Sequence, residues 1–162
     1  MHSRVFSVSK KPIDWNNDLG EDSIFCMLTD RERDVDYANC IHDPAVRKDS
    51  IKWLQNSSSG IAVDPDAETI QVVDAKVFFA SKYYKFKQAL LSLQNTTLDE
   101  FAAKERLDGL GMSMWYLDNL YNAECEFYVL TDDGLYTLDE FVRNESEDHT
   151  VYHIGGVYDY HF

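Results

Sequence analysis

The sequence predicts an α+β fold, with an antiparallel or mixed sheet and helices packed mainly on one face in a single pair of layers. β-prone runs occur near both ends of the chain, at Arg4–Ser9 and Tyr152–Phe162. Helix-period apolar patterns occupy the middle, over residues 74–94 and 110–121. The length of 162 residues matches one ordinary domain, so we expect residues 1–162 to form a single domain.

The amino-terminal part of the chain contains one predicted strand. It covers Arg4–Ser9 and ends before Pro12, which cannot donate to a β-ladder. Residues 14–42 have no clear period. The apolar group Ile24–Leu28 within them fits either a strand or a helix.

A helix and a hairpin follow. Asp43 places a side-chain acceptor directly before Pro44 at a first helical position, which predicts a helix over residues 44–56. Ile61–Val63 and Thr69–Val73 flank a polar four-residue turn and predict a β-hairpin.

A long helix is predicted after Asp74, its N-cap. Its expected core face consists of Phe79, Tyr83, Phe86, Leu90 and Leu93. A second apolar stripe lies almost opposite and consists of Val77, Tyr84 and Leu91. We expect this stripe to be covered as well; the alternative is that it faces a partner.

The remaining helices are marked by two capping boxes, Thr97–Glu100 and Thr137–Glu140. Asp108-Gly109 ends the helix that the first box begins. A further helix has an expected core face of Leu110, Met114, Leu117 and Tyr121. A strand over residues 125–130, a turn at residues 131–134 and a final strand with one apolar stripe from Tyr152 to Phe162 complete the prediction.

Charge limits the classes of partner. The chain has 29 acidic against 15 basic residues, a net charge of -14, which argues against general binding of nucleic acid backbones and anionic membranes. Residues 107–162 contain 12 of the carboxylates and a single base, Arg143. We expect an acidic interaction surface there, made of Asp132, Asp139, Glu145, Glu147 and Asp148, that suits a basic protein partner. The alternative is that this charge only serves solubility.

Targeting and redox signals are few. The amino terminus has no apolar run of the secretory type, and no stretch is long enough to span a membrane. The three cysteines, Cys26, Cys40 and Cys125, do not fit a disulfide framework and are expected to be reduced. These features predict a cytoplasmic protein.

Residues 133–141 resemble the second half of an EF-hand calcium loop and its exit. Gly134 matches the glycine of the sharp turn, and the resemblance implies calcium ligation by Asp133 and Glu140. Val129 and Thr131 stand where the family has its leading acidic ligands. The competing interpretation, a hairpin turn followed by a capping box, explains the same residues.

The final strand suggests a second metal hypothesis. His153, Asp159 and His161 share one face, provided that Gly155-Gly156 does not introduce a bulge. Asp159 and His161 would lie about 7 Å apart, a spacing that two ligands of one metal ion can have. The alternative is that these are ordinary histidines at a strand end.

No nucleophile elbow, phosphate-binding loop, dinucleotide fingerprint or paired-histidine zinc motif occurs in the sequence. We therefore predict a non-enzymatic protein-interaction or regulatory module that has no cofactor. Two alternatives are a metal-dependent hydrolase using the carboxy-terminal His and Asp residues, and an acidic DNA-mimic inhibitor of a basic protein.

Overall fold

A computed structural model describes residues 2–14, 19–31, 34–102, 110–122 and 127–162. The chain forms two compact units. The first consists of residues 1–78 with residues 125–162, and the second of residues 79–124. That residues 1–162 form a single domain stays a prediction.

The described elements include both strands and helices in the first unit and are helical in the second. The strands are β1 (His2–Ser9), β2 (Tyr37–Cys40), β3 (Ile61–Asp64), β4 (Thr69–Val72), β5 (Tyr128–Thr131), β6 (Gly134–Thr137) and β7 (Val151–His161). The helices are α1 (Glu21–Thr29), α2 (Pro44–Ser57), α3 (Ala75–Gln94), α4 (Leu98–Ala102), α5 (Leu110–Asn122) and α6 (Leu138–Glu140), which continues as a π-helical turn over Phe141–Glu145. The predicted α+β class is confirmed.

The strands form one mixed sheet in the order β3-β4-β7-β1-β5-β6. β7 is the longest strand: β1 pairs with it on one side, while β4 and β2 pair with its two halves on the other. β1 and β5 are parallel, and the other described pairs are antiparallel. β2 and α1 both lie within residues 14–42, which show no clear hydrophobic period.

Helices contact both faces of the sheet. Ile24 and Leu28 of α1 pack on the face that carries the fully buried Tyr158 and Tyr160, and the hydroxyl of Tyr158 donates to the carbonyl of Leu19 at 2.7 Å. On the opposite face, the rings of Trp53 in α2 and Phe127 are 4.8 Å apart, and the ring of Phe6 lies 5.8 Å from Phe127. We call these the α1 face and the α2 face.

The helix caps and the hairpin turn that short sequence motifs predict are present in the structure. Asp43 accepts hydrogen bonds from Ala45 and Val46 at the start of α2. Asp74 does the same for the nitrogens of Lys76 and Val77 at the start of α3, at 2.9 and 3.0 Å. Both predicted capping boxes form, and the predicted hairpin is β3–β4.

The covered side of helix α3 overlaps only partly with the predicted one. Phe78 and Ala89 are buried; of the expected core face, Phe79, Phe86 and Leu93 are half-buried, whereas Tyr83 and Leu90 are exposed. The second stripe is also exposed rather than covered, with Tyr84 at 66% exposure. The predicted periodicity is correct, but the covered side is rotated from the predicted one toward Phe78 and Ala89. Sequence spacing determines which residues share a face of a helix, not which neighbour that face meets.

The second unit leaves other large apolar side chains exposed. Met114, expected in the core of α5, is exposed, as is Trp115. Asp108-Gly109, Cys125 and the side chains of Leu110 and Tyr121 lie outside the described residues. Of the described cysteines, Cys26 is exposed and Cys40 is half-buried.

Candidate functional site

The residues predicted to bind calcium have structural roles. Asp133 lies in the turn between β5 and β6. The carboxylate of Glu140 accepts a hydrogen bond from the backbone nitrogen of Thr137 at 2.8 Å and pairs with Arg31 at 2.6 Å. The hairpin turn and the capping box therefore account for this segment, and calcium binding by Asp133 and Glu140 stays a prediction.

The residues of the other metal hypothesis lie on two faces of the sheet. Ser7 of β1 faces both Gly155 and Gly156, because the register shifts between Phe6–Val157 and Val8–Ile154. This bulge inserts one residue into β7 and reverses its alternation. Asp159 and His161 consequently share the α2 face, while His153 pairs with Ser9 on the other face. The apolar stripe predicted from Tyr152 to Phe162 is divided between the faces for the same reason.

The structure brings His2 to Asp159 and His161, a contact that sequence spacing does not reveal. His2 is the cross-strand neighbour of His161, and their ring centroids are 5.0 Å apart. The Nδ1 atom of His2 lies 3.1 Å from the carboxylate of Asp159, and that of His161 lies 2.6 Å from Asp36. The ring of Tyr37 stacks on His161. The five side chains form a polar cluster at one end of β1, β2 and β7.

Arg4 fixes the orientation of Asp159 within this polar cluster. The guanidinium pairs with the carboxylate of Asp159 and donates from Nε to the hydroxyl of Ser50 at 3.1 Å. It also stacks over the ring of Trp53 at 5.3 Å. Burial, with the nearby charge of Asp159, raises the pKa of Tyr37, so this phenol is a protonated donor at neutral pH.

The side chains of the polar cluster are held by hydrogen bonds and ion pairs among themselves and with Arg4. Within the described ranges, no group of three or more His, Cys, Asp or Glu side chains is placed to hold a metal ion. Metal binding by His153, Asp159 and His161 stays a prediction, and the bulge leaves only the last two on one face.

The predicted acidic surface is partly present. Asp132 and Asp148 are exposed, Glu145 is half-buried, and Glu147 is exposed but pairs with Lys10 at 2.5 Å. Asp139 is only 1% exposed, so its place in the interaction surface was wrong. The capping box turns Asp139 inward at the second position of α6, a position that sequence spacing alone does not orient.

A concave site lies where β1 and β5 end. Because these strands are parallel, their carboxyl ends meet at one edge of the sheet, where Ser9 and Thr131 terminate them. In open α/β sheets, ligands bind in the crevice beyond the carboxyl ends of parallel strands. Here it has a volume of about 480 Å³. We call it the strand-end cavity.

Apolar and polar side chains divide the lining of the strand-end cavity. The apolar lining consists of Val8, Ile13, Leu19, Met27 and Leu130. The polar lining consists of Ser7, Ser9, Thr131, Asp132 and Asp133. The two aspartates are exposed and form the β5–β6 turn, so their carboxylates border the opening. Gly134 follows them at φ 149°, a conformation that favours glycine and lets the strand restart at once.

The electrostatics of the cavity opening are negative. Among the residues that the structure describes, no lysine or arginine lies within ion-pair distance of Asp132 or Asp133. Burial raises the pKa of the adjacent Tyr136, and the charges of Glu145 and Asp133 raise it further. Lys10, which feels the charge of Asp133, is held by Glu147, and that contact raises the pKa of Lys10. A cation at the opening would therefore meet two unpaired carboxylates.

Comparisons with known proteins do not identify a relative of this chain. No known protein family, curated protein or solved structure matches this chain. In the described part of the chain, no helix combines the length and the apolar character needed to cross a membrane. Function is therefore inferred from the chemistry of the site.

Proposed function

We propose that the protein is a non-enzymatic interaction module that binds a basic segment of a protein partner at the strand-end cavity. An apolar side chain of that segment enters the cavity, and neighbouring Lys or Arg side chains reach Asp132 and Asp133. The observation that carries this proposal is the combination of an apolar lining with two unpaired carboxylates at its opening.

The size and lining of the cavity favour a side chain over a simple ion. Small-molecule pockets occupy about 300–1,000 Å³ and are mostly apolar with a few convergent polar groups. The strand-end cavity, at about 480 Å³, falls in this range and has five apolar and five polar lining residues. An inorganic cation would use the carboxylates but not the apolar lining, whereas an apolar residue flanked by bases uses both.

The charge of the chain favours a basic partner. At a net charge of -14, long-range attraction increases the rate of encounter with cationic segments. Several other acidic side chains near the sheet are already paired: Glu140 with Arg31, Glu147 with Lys10 and Glu68 with Arg47. Asp132 and Asp133 are exposed and line the cavity, so an incoming base can reach them.

The test uses defined peptides. We expect acetyl-Lys-Lys-Leu-Lys-Lys-amide to bind the full chain by isothermal titration calorimetry, and its Leu-to-Ser version to bind more weakly because the cavity lining is apolar. The version with Glu in place of every Lys should not bind. Replacing both aspartates, D132N/D133N, should weaken binding by about tenfold, since each exposed charge pair contributes up to about 1 kcal/mol.

Two variants control the experiment. Asp49→Asn removes one negative charge from α2, away from the cavity, and should leave the affinity within about twofold. Leu19→Ser alters only the apolar lining and should reduce the advantage of the Leu peptide over the Ser peptide. Equal affinity of both peptides, or equal losses in Asp49→Asn and the double variant, would show charge attraction without a site and contradict the proposal.

A further inference from the structure

We infer that the exposed apolar side of α3 is a self-association surface, and that its occupant is helix α4 of a second copy of this chain. This inference is independent of the strand-end cavity, because it concerns residues of the second unit only. The apolar stripe is defined by Tyr84 and Leu91, which lie seven residues apart on α3, with Lys87 between them.

The side chains of this stripe are exposed within the chain. Tyr84 is 66% exposed and Leu91 is 45% exposed, while Ala89, on the other side of α3, is buried. An amphipathic helix normally covers its apolar stripe and presents polar residues outward. α3 presents apolar groups on its outward side as well, and exposed apolar area of this kind marks interaction sites.

Helix α4 has the complementary apolar groups. Leu98 is 80% exposed and Phe101 is 70% exposed. Their spacing of three residues puts them on one side of the helix, where they form a short apolar ridge. In the described part of the chain both side chains stay largely exposed, so the ridge on α4, like the stripe on α3, is open to a second molecule.

Charge selects this pairing. Residues 75–94 contain four lysines and no acidic residue. α4 carries Asp99 and Glu100 in its first turn, and Asp99 is exposed. An α4 helix laid on the stripe therefore brings an exposed carboxylate toward Lys85 and Lys87, whereas a second α3 would bring lysines together.

A two-fold axis satisfies both surfaces at once. If α4 of each copy docks on α3 of the other, the same two contacts form twice and the assembly closes as a dimer. The stripe of one copy alone is small compared with the roughly 1,200–2,000 Å² that a typical stable interface buries. The two-fold axis repeats the contact and so doubles the buried area. Exposed Met114 and Trp115 of the same unit offer additional apolar area.

Sedimentation velocity of the full chain over a concentration series tests the inference. We expect a monomer–dimer equilibrium in the wild type and only monomer for Tyr84→Glu, which puts a carboxylate in the stripe opposite Asp99. Leu98→Ser with Phe101→Ser should have the same effect from the other side. Circular dichroism verifies that each variant keeps its helices.

A charge exchange distinguishes the pairing of α3 with α4 of the second copy from non-specific association. Lys87→Glu and Asp99→Lys should each raise the dimer dissociation constant at least about fivefold, and the double variant K87E/D99K should restore it. Lys11→Glu, in the first unit, is the matched control and should change little. D132N/D133N should dimerise normally, which keeps this test separate from that of the cavity.

The inference is overturned by a wild type that stays monomeric at all concentrations. It is equally overturned if Tyr84→Glu still dimerises, or if the double charge exchange fails to recover the wild-type dissociation constant.

Discussion

Arg4 and Asp159 form an ion pair between neighbouring residues of β1 and β7, although 155 positions separate them in the chain. Both side chains are largely buried, and the contact joins the amino-terminal strand to the carboxy-terminal one on the α2 face. The carboxylate of Asp159 also contacts Nδ1 of His2 and accepts a hydrogen bond from the hydroxyl of Tyr37. Loss of this carboxylate would therefore leave several groups without their partner.

Asp159→Ala should therefore lower the free energy of unfolding by about 2 kcal/mol, because a mostly buried guanidinium loses its charged partner. Asp49→Ala removes an exposed carboxylate that pairs with Lys52 and should cost no more than about 0.5 kcal/mol. Urea unfolding followed by circular dichroism measures both values. Equal losses would show that the Arg4–Asp159 pair contributes no more than a surface contact.

The contrast between local and distant signals explains which predictions succeeded. Asp43, Asp74 and Thr137 were identified as caps because a cap depends on residues two or three positions away. The partners of Asp159 depend instead on how β1, β2 and β7 assemble. No feature of His2 or Tyr37 in the sequence indicates that they meet Asp159.

The predicted faces of the side chains of β7 are wrong where one inserted residue reverses the alternation of the strand. The bulge at Gly155 and Gly156 moves His153 to the face opposite His161, and alternation alone cannot locate such an insertion. In the strand-end cavity, Asp132 and Asp133 were recognisable as turn residues. Met27 and Leu19 were not recognisable as lining, because residues 14–42 show no period.

Gly60 occupies a position that only glycine fits. Its φ is 78°, and a Cβ atom there would overlap the carbonyl oxygen of Asp74 and lie 2.5 Å from the nitrogen of Phe78. Gly60→Ala should therefore lower the free energy of unfolding by at least about 2 kcal/mol, since backbone strain and a clash with rigid backbone add.

Gly20→Ala is the matched control for this substitution. Gly20 has φ -67° and nothing within 4 Å of its Cβ position, so alanine there should change stability by less than about 1 kcal/mol. Thermal unfolding of the two variants side by side measures the difference. A Gly60→Ala protein as stable as Gly20→Ala would contradict the geometry of the turn before β3.

Asp64 gives the β3–β4 turn a defined pH dependence. The backbone nitrogen of Ala67, and then that of Asp66, donate to its carboxylate at 2.9 and 2.8 Å and lower the pKa of Asp64 below the usual 3.8. The folded pKa is thus below the unfolded one. The stabilisation is fully present above the unfolded value and disappears as the pH falls through the folded value.

A carboxyl carbon NMR titration should place the midpoint of Asp64 below 3.8. In Asp64→Asn, the free energy of unfolding should depend less steeply on pH in the acidic range, because a carboxyl group whose pKa is lowered by folding is no longer present to titrate. A midpoint at or above 3.8 would show that the two turn hydrogen bonds are not formed in solution.

The pair of Arg47 and Glu68 should respond unequally to the loss of either member. Arg47 is 2% exposed, and its guanidinium meets the Glu68 carboxylate at 2.8 and 3.0 Å and the carbonyl of Ile154 at 3.1 Å. Glu68 is far more exposed. Glu68→Gln should cost about 3 kcal/mol, because it leaves a buried guanidinium without its carboxylate.

Arg47→Met should cost less than Glu68→Gln, because methionine packs in the buried site and water solvates the remaining Glu68. The double variant R47M/E68Q should then be more stable than Glu68→Gln alone. Arg47→Met would thus destabilise the wild type but stabilise the Glu68→Gln variant, a change of sign that two independent sites cannot produce. Urea unfolding of the three proteins and the wild type completes the cycle. If the two single costs simply add, the bidentate pair that connects α2 with the β3–β4 turn is not the stabilising contact that its burial indicates.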